Sequence, residues 1–187
     1  MVLFFQDVVK RCQQGDRIAQ RQLFEQLYAP LYRVSYRYVG QQAEAEDCLM
    51  RGLMKAFQKL DTFHYENEYS LFAWVRKIVV NEVLMALRKE RTFSMVPVDD
   101  HVEVPDLHPI LEQMAAEELY QLITQLPVGY RTVFNLFVVE GYSHQEIAGM
   151  LGISEVTSRT QLAKSKQKLR TLLTQLYQGY ESTGTGE

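Results

Sequence analysis

The sequence predicts an all-α fold of two small helical domains joined by an acidic linker, the C-terminal domain being a four-helix unit built around a helix-turn-helix. Three observations carry this reading. Apolar residues recur at spacings of three and four at both ends of the chain, and a stretch rich in proline and acid separates those ends. The third is the run from Gly141 to Leu162, which spells two short helices joined by a tight glycine turn, the pattern that docks in a DNA groove.

With 187 residues, 47% of them hydrophobic, and only 10 Gly and 5 Pro, the chain can bury real cores. Cys12 and Cys48 are its only cysteines, and neither has a His or Cys at metal-ligand spacing. No signal peptide or long apolar run is present. The expectation is a reduced, cytoplasmic protein that needs no metal or cofactor and does not insert in a membrane. An enzyme is the least supported class, because His64, His101, His108 and His144 are scattered and no phosphate loop or nucleophile-base pair stands out.

The N-terminal elements follow from their stripes: Leu23, Phe24, Leu27, Tyr28 and Leu31; then Leu49, Leu53, Ala56, Phe57 and Leu60; then Trp74, Val75, Ile78 and Val79. Asp16 is placed to cap the first long helix, and Pro30 is expected to kink or break it. A three- or four-helix bundle over residues 1–91 results. Periodicity then fails from Thr92 to Pro109, where Pro97, Pro105 and Pro109 sit among Asp99, Asp100, Glu103 and Asp106. This is the linker, 92–109; a short strand through Val96, Val98, Val102 and Val104 is the alternative, with no partner strand in view. Extended, the segment reaches roughly 60 Å.

The C-terminal domain occupies 110–178. Leu111, Ala115, Leu119, Leu122 and Leu126 form one stripe, and Tyr130, Val133, Phe134, Phe137 and Val138 form another beyond Pro127. Gly141 suits the end of the second helix, Ser143 with Glu146 makes a capping box, and Tyr142 with Ile147 a hydrophobic staple. Residues 179–187 lack apolar pattern and read as a flexible tail.

The formal charge of −3 is wrong for a nucleic-acid binder until its distribution is counted. Residues 1–91 hold fourteen Lys and Arg against eleven Asp and Glu, residues 92–117 hold none against six, and residues 118–187 hold six of each. Between Val156 and Tyr180 there is no acid, whereas Arg159, Lys164, Lys166, Lys168 and Arg170 all fall there. That run is an electrostatic footprint for DNA. Ser154 caps this helix, and Ser154 and Thr157 in its first turn are candidate DNA contacts. At ~100° per residue, Leu162, Leu169, Leu173 and Leu176 face inward. Arg159 is the candidate for bidentate contact with guanine, Thr160 and Gln161 add weaker readout, and Ala163 lies beside them. Lys164, Lys166, Lys168 and Arg170 are candidates for phosphate contacts. His144 reads as an exposed residue or a phosphate neighbour.

Taken together, Leu126–Phe134 and Glu140–Ala148 in one half, and Ala45-Glu46-Asp47, Lys55-Ala56-Phe57, Leu60-Asp61, Trp74–Asn81 and Leu87-Arg88-Lys89 in the other, resemble the bacterial sigma factors of the extracytoplasmic-function group, which carry sigma regions 2 and 4. The resemblance spans nearly the whole chain. It implies that region 2 binds core RNA polymerase and melts the minus-ten element, while region 4 reads the minus-thirty-five element of promoter DNA. By position, Asn81 matches the family residue that holds a base flipped from the non-template strand. Arg76, Lys77, Arg88, Lys89 and Arg91 would meet nearby phosphates. Trp74 is expected in the core. Tyr65, with Phe63, His64 and Tyr69 in the loop 61–70, can supply a stacking surface.

Two departures from the family pattern stand out. The loop is about two residues longer and carries Glu66 and Glu68. Where the family has a Gln-Glu pair on its polymerase-facing surface, this chain has Met50-Arg51. Asp47, Met50, Arg51 and Met54 remain as the polymerase-binding set, with the methionines offering a soft apolar contact. The family also implies an anti-sigma partner and a monomer within the holoenzyme. Two other classes compete: a stand-alone helix-turn-helix regulator whose N-terminal bundle dimerises or senses a ligand, and an interaction module that has lost promoter melting.

Overall fold

Asp16 fixes the junction between the first two helices of the N-terminal unit. In the computed structural model, which describes residues 5–89 and 116–183, the chain divides into two units at Lys89. The first holds α1 (Phe5–Gln13), α2 (Arg17–Val39), α3 (Gln42–Gln58), a 3-10 turn (Leu60–Thr62) and α4 (Glu68–Lys89). The Asp16 carboxylate accepts from the backbone N–H groups of Ile18 at 2.8 Å and Ala19 at 3.2 Å, capping α2. It also accepts from Arg11 Nη2 at 2.6 Å, tying α1 to that cap. The Arg11 hydrogen bond, ahead of the backbone donors, holds the Asp16 carboxyl below its ordinary range.

α2 is not broken at Pro30. The ring lies on the exposed side, while Leu27, Leu31 and Val34 bury the other side against the core. Rings spaced by four run along the helix past the proline, with Phe24–Tyr28, Tyr28–Tyr32 and Tyr32–Tyr36 centroids at 5.6, 6.2 and 6.0 Å. Packing on both sides of Pro30 thus outweighs the one lost backbone hydrogen bond.

α3 and α4 approach closely through Gly52. A Cβ on this residue would lie 2.7 Å from Val79 Cγ2 and 2.9 Å from Val79 Cα. Beside that contact, Lys55 Nζ meets the buried carboxylate of Glu82 at 2.6 Å. Leu49, Leu53, Ala56, Leu71, Val75 and Val79 close the core with α1 and α2. Trp74 packs at its edge and stacks on Phe63 at 4.7 Å, in keeping with a core role. Both cysteines are buried, and burial pushes the Cys12 thiol up to about 11.

The second unit holds α5 (Ala116–Thr124), α6 (Val128–Phe134), a π-helical turn (Asn135–Val139), α7 (His144–Leu151) and α8 (Glu155–Thr183). Among the described residues there is no strand. Helix α8 runs past residue 178, where the sequence suggested a flexible tail. The acidic linker 92–109, its alternative strand and residues 110–115 and 184–187 lie outside the described residues. No helix among the described residues is long and apolar enough to cross a membrane.

Candidate nucleic-acid interface

Both ends of α7 and the start of α8 are secured by local hydrogen bonds. The Ser143 Oγ accepts from Glu146 N at 3.3 Å, and the Glu146 carboxylate accepts from Ser143 N at 2.8 Å, completing the capping box. Gly152, at φ 69°, takes the left-handed conformation that ends α7, and its N–H donates to Ala148 O at 2.9 Å. Ser154 Oγ accepts from Thr157 N at 3.0 Å and lies 2.8 Å from Thr157 Oγ1. These two hydroxyls cap the helix, so their first role is to fix its start.

Beyond the turn, α8 presents Arg159, Lys168 and Arg170 as exposed cations, with Thr160, Lys164 and Lys166 half-buried. Arg159 Nη2 lies 3.1 Å from the Glu155 carboxylate one turn earlier, an exposed pair worth little in stability that holds the guanidinium along the helix.

The structure corrects two expected DNA contacts here. Gln161 is 1% exposed and Ala163 is 7% exposed. Helix α8 packs a wider arc than its leucines mark, because the small side chains of Ser158 and Ser165 are fully buried with them. Gln161 points at Gly129, where a Cβ would meet its Oε1 at 3.2 Å. Ala163 offers a single methyl that longer neighbours on the helix overshadow. Neither amide atom of Gln161 has a hydrogen-bond partner among the described residues. Gln161→Met therefore should stabilise the C-terminal domain by about 1–2 kcal/mol, since it removes an unpaired buried amide; a lowered melting temperature in calorimetry would contradict this.

Of the two readings expected for His144, the exposed one is corrected. The residue is half-buried, its Nδ1 lies 2.9 Å from Ser158 Oγ, and its ring stacks on Phe137 at 4.4 Å.

In the N-terminal unit, Lys77, Asn81 and Arg88 are exposed and recur on one side of α4, at helical positions within ~40° of each other. Arg76 does not join them. It is half-buried and sits ~100° around the helix from Lys77. Lys89 is exposed at the last turn, ~80° from Asn81. Tyr65 is half-buried against the core, which raises its phenol pKa, whereas Tyr69 is 87% exposed. The loop turns inward at Phe63 and Tyr65 because Trp74 and the core edge receive these rings. Asn67 then starts α4 by exchanging bonds with Ser70, its Oδ1 accepting from Ser70 N at 2.8 Å.

On α3, Asp47, Met50, Arg51 and Met54 are all exposed on one face, opposite the buried Leu49, Leu53 and Ala56. Met50 and Met54 are 42% and 59% exposed, unusual for apolar side chains at helical spacing. Arg51 reaches the buried Cys48 sulfur with Nη2 at 3.1 Å.

Residues 23–93 match the family described as Sigma-70 region 2, and residues 116–169 match Sigma-70, region 4. The ECF RNA polymerase sigma factor SigM of Mycobacterium tuberculosis is 30% identical over 170 residues, covering 91% of this chain and 82% of that protein. The ECF RNA polymerase sigma factor SigW of Bacillus subtilis is 26% identical over 191 residues, covering 94% of this chain and 100% of that protein. Among solved structures, the sigma factor RpoE of Bartonella quintana, in complex with the anti-sigma factor NepR, is similar at 21% identity and a TM-score of 0.48, over 82% of this chain and 96% of that one. Both family regions occur in order, each on its own helical unit, and the chain belongs to the ECF RNA polymerase sigma factors.

Proposed function

We infer that this sigma factor, a transcription initiation factor that directs RNA polymerase to promoters, divides its promoter contacts between its two domains. Arg159 and Thr160 on α8 read base edges of the minus-thirty-five element, while Lys164, Lys166, Lys168 and Arg170 hold phosphates. Ser154 and Thr157 fix the entry of that helix. Asn81 receives the edge of an unstacked base at the minus-ten element, with Lys77, Arg88 and Lys89 on the adjoining backbone. Asp47, Met50, Arg51 and Met54 form the surface for core polymerase. The factor acts without catalysis of its own, as a monomer within a cytoplasmic holoenzyme. An anti-sigma partner would cover the same surfaces.

The main support is the C-terminal motif, in which two capped helices and a left-handed glycine place Arg159 in the first turns of α8 and Lys164, Lys166, Lys168 and Arg170 further along it. The acidic segment 92–109 works against DNA binding by the free protein, so tight and specific binding needs polymerase.

In vitro transcription with purified bacterial core polymerase and a library of genomic promoter fragments tests this reading. Discrete new starts are the expected result. Dimeric binding of the isolated protein to a palindromic site, with no starts, would return the stand-alone regulator.

A further inference from the structure

The ring of His144 joins three segments of the C-terminal domain. His144 is the first residue of α7. Its Nδ1 is 2.9 Å from the Oγ of Ser158, a residue of α8 with no exposed surface, next in sequence to Arg159. Its face stacks on Phe137, with centroids 4.4 Å apart and planes 21° from parallel. Phe137 belongs to the π turn, in which Glu140 N donates to Asn135 O at 2.9 Å and Tyr142 N donates to Leu136 O at 2.9 Å. Such turns are rare and recur frequently at functional sites. Here the widened turn carries the aromatic face on which the imidazole rests.

The surroundings favour the neutral ring. Burial, then the Arg159 charge, pushes the pKa down from about 6.5, with Glu155 opposing. On the π turn there is no titratable side chain, and on α7 Glu146 is engaged with the Ser143 N–H and Oγ at 2.8 and 2.7 Å. The contribution of the neutral ring is present in full above its ordinary pKa and is lost as the pH falls through the lowered one.

We propose that His144 is a positioning residue for promoter selection: through Ser158 it locks the first turns of α8 against α7, and so sets the direction in which Arg159 leaves the helix. This rests on the reading of α8 as the minus-thirty-five reader. The ring touches neither base nor phosphate in this role. A small rotation of α8 about its own axis would carry Arg159 off a base edge while leaving the lysines within reach of phosphates, because bidentate base contacts demand geometry and phosphate contacts tolerate its loss.

The test uses holoenzyme assembled from core polymerase and the full chain. Wild-type holoenzyme first selects its preferred upstream element from a randomised library, which separately tests the sigma reading. Transcripts are then compared between a template carrying that element and one in which it is scrambled, well below the melting temperature of each variant. His144→Ala and Ser158→Ala should each lower the ratio of the two by about tenfold, the size of one base-reading contact, with scrambled-template transcription held within about twofold. His144→Asn, whose amide can occupy the place of Nδ1, should restore the ratio. Unchanged ratios in both alanine variants would overturn the proposal. So would an equal loss on both templates that follows the loss of thermal stability, which marks a structural role only.

Discussion

Gly52→Ala lowers the melting temperature of the N-terminal domain, and Gly52→Leu leaves it unfolded at growth temperature; these are the expected results of filling the contact between α3 and α4. A methyl on residue 52 would stand 2.7 Å from Val79 Cγ2 and 2.9 Å from Val79 Cα. The second atom is backbone, so a rotamer change cannot relieve the overlap and the helices must separate. Forced overpacking costs about 1–3 kcal/mol, against a helix-propensity gain of at most ~1 kcal/mol from replacing glycine. Separation would also stretch the neighbouring Lys55–Glu82 pair and leave the Glu82 carboxylate, 8% exposed, short of its partner. For a domain of this size each kcal/mol moves the midpoint by roughly 4–8 °C, so thermal denaturation by circular dichroism resolves even the alanine variant. Gly149→Ala is the matching control. No atom lies within 4 Å of a Cβ there, so the same change should stabilise α7 by up to ~1 kcal/mol. Equal behaviour of the two glycines would show that Gly52 is not a steric requirement.

Asn81→Ala should cut promoter opening by roughly tenfold to a hundredfold, the value of a well-placed base-edge contact, while leaving the fold and polymerase binding intact. Asn81 is exposed on α4, and alanine favours helix more than asparagine does. Its loss should therefore be purely functional. Permanganate reactivity of thymines in the melted segment measures opening directly, and a template with a preformed bubble should recover most of the transcript. Lys77→Ala and Arg88→Ala, on the same face, should give smaller defects that vanish at low salt. Arg76→Ala should have no effect on opening, because Arg76 faces another way. Normal opening by the Asn81 variant would remove this residue from the minus-ten contact.

The parts of the fold legible in the sequence are those decided within a few residues. Ser143, Glu146, Gly152 and Ser154 determine their helix ends through side chains at fixed offsets, so the motif could be read before any tertiary contact was known. The apolar stripes of α2, α3 and α4 were similarly plain. What escaped depends on neighbours far along the chain. Helix α1 is short, so the sequence left open whether the bundle had three helices or four, and Gly52 carries no sign of the valine twenty-seven residues later that excludes a side chain. Gln161 looked like a reader because it is polar and early in α8, but the buried arc of that helix is built from Ser158, Gln161 and Ser165 as much as from leucines. Tyr65 and Arg76 were placed by type and local position, whereas the core edge and the angle around α4 determine where they point.

Pro30 has a consequence for the order in which the N-terminal domain assembles. A proline in mid-helix costs ~3 kcal/mol of propensity, and no hydrogen bond can form from its nitrogen to the preceding turn. In an early, unpacked chain the segments on either side of it are each too short to hold helix alone. Helix α2 can become continuous only as Leu23, Leu27, Leu31 and Val34 find their partners in the core, so secondary and tertiary structure must arise in one cooperative step. The proline thereby acts as a brake on premature helix growth, and the full twenty-three residues of α2 report that the domain has closed.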